Sequence, residues 1–211
     1  MKEIPIMSAH LAIILICVCL QGCSSIDTSG LAGNVSGGFY TSPNKTFRVQ
    51  IPPLLDAPRV KDYVTADQLG VLFADAFCRQ YVIWEQQVGL DNRSLDQLVE
   101  KIYIERMKAD GILLKDRKSF KTGLGPAIAL RYRHKQGAPC VARSYSASGQ
   151  RVETPPDAEV LMYILNKNGV LYTFMYELGD LNNFEPWQLA PLDNKLAPFL
   201  AGFELLPQEM R

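Results

Sequence analysis

The chain has 211 residues, with 22 Lys and Arg set against 22 Asp and Glu, five Cys and two His. Zero formal charge excludes a globally basic nucleic-acid binder, and it equally excludes an acidic disordered tail protein. Hydrophobic residues make up 47% of the chain and include nine Phe, nine Tyr and two Trp, enough to fill the core of one domain.

Residues 11–20 read LAIILICVCL, an unbroken apolar run. A bilayer-crossing helix needs about 20 such residues. The run instead has the size of the h-region of a secretory signal. Lys2 and the N-terminal amine supply the positive n-region, partly offset by Glu3. The run ends in Leu20-Gln21-Gly22-Cys23, which resembles the lipobox of bacterial lipoproteins: an apolar, a variable and a small residue, then Cys. Gln21 is a less usual choice at the variable position. An ordinary secretory signal with a chance Cys, or a short buried helix, is the plainer alternative. The resemblance implies a signal peptide over residues 1–22 and a mature chain beginning at Cys23. There the thiol would carry acyl chains, and the bilayer would be the partner of acylated Cys23. In lipoproteins of Gram-negative bacteria an Asp after the modified Cys signals inner-membrane retention. Ser24 stands there, which implies the periplasmic face of the outer membrane if the source is such a cell.

Residues 23–38, rich in Ser and Gly after Cys23, read as a flexible tether. One globular domain is expected over residues 39–211. Phe47, Val49 and Ile51 alternate with Thr46, Arg48 and Gln50, which predicts a strand with one buried face, stopped by Pro52-Pro53. Strands are also predicted near residues 71–77 and 80–85, with Asp75 at a strand end, turn or bulge. Ser94 and Gln97 fit a capping box at the start of a helix. Leu95, Leu98, Val99 and Ile102 share one face of it, Lys101 and Glu105 are spaced to pair, and Asp110-Gly111 offers a stop. Further strands fall near residues 112–120, 127–133, 160–165 and 170–176, the last two joined by the hairpin signal Asn168-Gly169. VLMYIL and VLYTFMY are apolar at nearly every position, which argues for a sheet covered on both faces. A last helix is expected from near Pro191 through Leu200, with Pro198 forcing a kink or an early end. The expected class is α+β: an antiparallel sheet covered by helices in an α/β/α-like sandwich.

This order of elements resembles the domain shared by Mog1 and the PsbP photosystem proteins. The shared features are an opening Tyr40-x-Ser42-Pro43, the Phe47–Pro52 strand, a central helix, a late hairpin, and a final helix running into Phe203-Glu204-Leu205. The likeness would span residues 39–206 and implies a binding or assembly module. No functional residue of that group carries over to a position here.

Signal cleavage would remove His10, Cys17 and Cys19, leaving His134 as the only His. That excludes multi-His metal sites, and no cofactor is expected. Gly123-Leu124-Gly125 precedes Pro126 and reads as a turn. A Ser-His-Asp enzyme would have to use His134, yet the serines of residues 144–149 lack a nucleophile elbow. Cys78 and Cys140 are the two thiols left beside Cys23, and in an oxidising compartment one disulfide between them is the simple expectation. The alternative is a buried inert Cys78 with an exposed Cys140.

Charge is divided along the chain. Residues 115–151 carry nine basic and one acidic side chain, whereas residues 152–211 carry three basic and nine acidic. Arg131, Arg133 and Lys135 form a candidate cationic surface for anionic polymer, lipid headgroups or an acidic envelope protein. The simpler and preferred reading has the acidic C-terminal third neutralising this segment across strands. The sequence as a whole points to a membrane-anchored envelope lipoprotein acting as a binding or assembly module. An envelope hydrolase using His134 with a Ser or carboxylate is the alternative from another class, and a structural envelope component is a third.

Overall fold

Inward and outward side chains alternate along Phe47–Gln50, where Phe47 and Val49 are buried and Arg48 and Gln50 exposed. The same period of two builds two antiparallel sheets. The computed structural model describes residues 30–54, 59–74, 79–89, 93–134, 158–179 and 193–207. The strands are β1 (Asn34–Ser36), β2 (Phe39–Thr41), β3 (Phe47–Gln50), β4 (Arg59–Val64), β5 (Gln68–Ala74) and β6 (Arg79–Gln87). They continue with β7 (Leu113–Thr122), β8 (Gly125–His134), β9 (Ala158–Lys167), β10 (Val170–Gly179) and β11 (Phe203–Leu205). The smaller sheet is ordered β1-β2-β3-β11 and the larger β4-β5-β6-β10-β9-β8-β7. The protein is an α+β fold, as its sequence pattern predicts.

The larger sheet is packed on both faces. Leu161, Tyr163 and Leu165 of β9 and Tyr172, Phe174 and Tyr176 of β10 point to the smaller sheet. Val160, Met162 and Ile164 of β9 and Leu171 of β10 point the other way, under the helical layer. This accounts for the unbroken apolarity of both strands: each successive residue enters one of two cores. The hairpin between them turns at Asn168-Gly169, both at positive φ.

The helical layer consists of α1 (Leu95–Val99), a π-helical stretch (Glu100–Ile104) and α2 (Glu105–Ala109), one directly after another. Ser94 caps it as expected: its side chain accepts from the Gln97 N–H, and the Gln97 side chain accepts from the Ser94 N–H. At the other end Gly111 N–H reaches the Lys108 carbonyl and Ile112 N–H the Met107 carbonyl, the paired bonds of a Schellman stop. The expected Lys101–Glu105 pair does not form. The π-helical stretch changes the angular spacing of these residues, and Glu100 instead takes Lys108 at 3.0 Å and Arg117 of β7 at 2.9 Å.

On the opposite face α3 (Asp193–Ala201) packs beside the smaller sheet through Leu196 and Phe199. Pro198 lies inside it, and the helix ends three residues later, as a missing N–H near the last turn permits. This face is therefore covered by four strands as well as a helix, where the sequence pattern predicts helices alone.

Two boundaries differ from the sequence reading. The segment assigned to a tether is structured from residue 30: β1 and β2 form a hairpin whose turn, Gly37-Gly38, has both residues at positive φ. These glycines serve a tight turn, not flexibility. The strand expected at residues 71–77 lies three residues earlier, at Gln68–Ala74, and Asp75 lies outside the described residues. β4 has no counterpart in the sequence reading. It is a charged edge strand with Val60 as its only buried side chain, a composition that blunts edge-to-edge pairing. Among the described residues no helix is long and apolar enough to cross a membrane.

Candidate functional site

The start of the fold is held by one carboxylate. Asp62 of β4 accepts from the Ala32 N–H at 3.0 Å, the Gly33 N–H at 2.7 Å and the Tyr40 hydroxyl at 2.8 Å. Partial burial pushes its pKa up, but the Ala32 and Gly33 amides and the Tyr40 hydroxyl outweigh burial and hold it below the usual carboxylate range. Tyr40 is itself fully buried, and burial, followed by the Asp62 bond, drives its pKa far upward, so its proton stays on as a donor.

A second polar chain links the two sheets. Ser42 Oγ accepts from the Thr46 and Phe47 N–H groups, and Ser42 and Thr46 share a hydroxyl bond at 3.0 Å. The Thr46 hydroxyl then donates to Glu85 of β6 at 2.7 Å. Glu85 is buried, and burial raises its pKa against the opposing effect of the Thr46 bond. Tyr40 and Ser42, which open the domain in sequence, thus each anchor a polar contact between layers.

The basic segment folds as β7 and β8. Arg131 Nε lies 3.2 Å from Glu159 Oε1, and Lys115 Nζ lies 3.9 Å from Glu159 Oε2. The Arg131 contact is ionic: Nε is buried and makes no directional hydrogen bond. Arg133 sits directly opposite Glu159 in the β8–β9 register. Arg117 reaches Asp96 at 2.6 Å and Glu100 at 2.9 Å, tying the edge strand to the helical layer, and the Asp96 and Glu100 bonds raise its pKa against the smaller effect of burial. So Arg131 and Arg133 lie together on one face of β8, beside an acidic residue of the neighbouring strand. Lys135 lies outside the described residues, as do Cys23, Cys78 and Cys140. His134 ends β8, its backbone opposite Ala158. Among the described residues no group of three or more His, Cys, Asp or Glu is placed to hold a metal ion.

Among the described residues the helical layer covers only part of its face. It packs on β8, β9 and Leu171 of β10, and Tyr103 reaches across to bond the Thr173 hydroxyl of β10. Beyond that line lies the row Thr173, Trp84, Gly70 and Tyr63, each directly opposite the next on β10, β6, β5 and β4. The Trp84 ring lies against Gly70, where even a Cβ would overlap it. Trp84 remains 38% exposed and Tyr63 52% exposed. Arg59 and Lys61, also exposed, share the Tyr63 side of β4 by alternation.

Asp62, Glu85 and the Trp84–Gly70–Tyr63 row are absent from the sequence reading. Asp62 and Glu85 had a legible signal. Each occupies the inward phase of its strand, after Val60 in one case and after Tyr81 and Ile83 in the other. The aromatic row had none, because it depends on register between strands.

No family model matches the chain, and no curated protein matches its sequence. Comparison with solved structures finds distant likenesses. The solution structure of cyanobacterial PsbP (CyanoP) from Synechocystis sp. PCC 6803 aligns over 86% of this chain and 98% of its own, with a TM-score of 0.45 and 12% identity. A 1.50 Å crystal structure of a protein from Bacteroides thetaiotaomicron VPI-5482 aligns over 82% of this chain and 50% of its own, with a TM-score of 0.41 and 9% identity.

Proposed function

We propose that this protein is an exported lipoprotein, held at a cell-envelope membrane by acylated Cys23, whose α+β domain serves as a binding or assembly module. The observation that carries the reading is the Leu20-Gln21-Gly22-Cys23 motif at the end of a ten-residue apolar run, eleven residues before the first strand at Asn34. Ser24 favours the outer membrane as its destination in a Gram-negative cell. Membrane attachment concentrates the domain near envelope partners, which is how a module with modest affinity becomes effective. The partner class is an envelope protein or anionic polymer.

The test is fractionation of cells expressing wild type or Cys23→Ser, with metabolic palmitate labelling, followed by crosslinking in intact cells and pull-down. Wild type should incorporate label and sediment with membranes, and Cys23→Ser should do neither. Equal fractionation of the two proteins, with no label in wild type, would remove the anchor from the reading. Crosslinking that captures no envelope component would remove the module.

A further inference from the structure

We propose that the exposed Tyr63–Trp84 patch of β4–β6 rests on the same bilayer that holds the acyl chains of Cys23. The inference builds on the anchored reading above. It begins with where the chain enters the fold. Ala32 and Gly33 are fastened to Asp62 of β4, so the tether ends at this edge of the sheet. From Cys23 to Gly30 are seven peptide steps, which span at most about 25 Å when fully extended. A domain of this length has a radius of gyration of about 15 Å, and so is about 40 Å across. The leash is shorter than the body, so the edge that holds its end is the one kept nearest the membrane.

The chemistry of that edge suits a lipid interface. Tyr63 and Trp84 flank Gly70 on adjacent strands, and the absence of a side chain at Gly70 lets the Trp84 ring lie along the sheet. Trp and Tyr are the side chains that prefer the boundary between hydrocarbon and headgroups. Arg59 and Lys61 follow on the same face of β4 and present positive charge to anionic headgroups. At the other end of the sheet the basic residues of β7 and β8 have Glu159, Asp96 and Glu100 beside them, so net positive charge alone does not single out that end.

Trp84 reports on its own contact. The chain has two Trp, so Trp187→Phe leaves Trp84 as the only indole. The acylated protein is reconstituted into vesicles of phosphatidylethanolamine and phosphatidylglycerol, with or without shallowly brominated acyl chains. Trp84 emission should shift to the blue and lose about half its intensity to the bromines, as an indole at the headgroup boundary does. The paired change Tyr63→Ser with Lys61→Gln, both exposed positions, should reduce that quenching while the protein still floats with the vesicles. Flotation without quenching, with Trp84 open to aqueous acrylamide, overturns this inference and leaves the anchor standing. Quenching untouched by the paired change also overturns it. Protein that does not float overturns the anchored reading and this inference with it.

Discussion

The two faces of the larger sheet are built from the same strands but packed by different chemistry. The face under the smaller sheet is aromatic: Phe174 meets Phe199 at 6.3 Å and Phe203 at 4.8 Å, both nearly edge to face, and Phe73 meets Phe199 at 5.7 Å. The face under the helical layer is mainly aliphatic and thioether: Val99, Ile104 and Met107 pack on Ile128, Leu130, Met162 and Ile164, with Tyr132 its one buried ring among the described residues. Rings fill space in few orientations and gain from their edge-to-face contacts, and buried residues on the first face run from Val60 of β4 to Ala127 of β8. Among the described residues the helical layer spans a narrower strip, and Trp84 and Tyr63 stay partly exposed on β6 and β4. One sheet thereby provides a structural face and a face with surface to spare.

Truncation in each core should separate them most sharply. Phe174→Ala is expected to cost about 4 kcal/mol and Leu130→Ala about 3 kcal/mol, measured by urea unfolding. An equal or larger loss at Leu130 would mean that ring interlocking does not distinguish the faces. A smaller effect is expected where the N-terminal segment is clamped. Asp62→Ala removes three hydrogen bonds to a carboxylate and should cost about 2 kcal/mol. The folded pKa of Asp62 lies below its unfolded value, so its contribution is present above about pH 4 and is lost as pH falls through the lowered folded value. The variant should therefore show a flatter acid limb, and a limb identical to wild type would show that Asp62 is not the clamp.

Glu85→Gln should give the smallest change and the opposite sign. The folded pKa of Glu85 is raised by burial, so its favourable contribution is full below the unfolded value of about 4.3 and disappears as pH rises through the folded value. Gln keeps an acceptor for Thr46 without the buried charge. The variant should gain on wild type by about 1 kcal/mol or less between pH 4 and pH 7. Parallel pH curves for the two proteins would contradict a destabilising carboxylate between the layers.

Much of this arrangement is legible along the chain. The capping box at Ser94, the stop at Gly111, the Asn168-Gly169 turn and the doubly buried β9 and β10 all follow from local pattern. Composition misleads where glycines serve geometry. Gly37-Gly38 resembles flexible linker but makes a turn, and Gly70 resembles a strand breaker but accommodates the Trp84 ring. The charged β4 escapes notice because an edge strand buries little. The charge division between residues 115–151 and 152–211 is visible in sequence, yet only strand order shows that Glu159 on β9 stands between Arg131 and Lys115.

The sequence by itself determined the α+β class, most element positions, the zero net charge with its uneven division, and the lipobox-like run Leu20-Gln21-Gly22-Cys23. These depend on residues close together in the chain, through periodicity, capping and turn chemistry. The tertiary structure decided which carboxylates are clamped or buried, which arginines lie beside acids, and that Tyr63 and Trp84 share an open row with Gly70. Those outcomes depend on register and layer order, which bring together residues far apart in sequence and which no local pattern encodes.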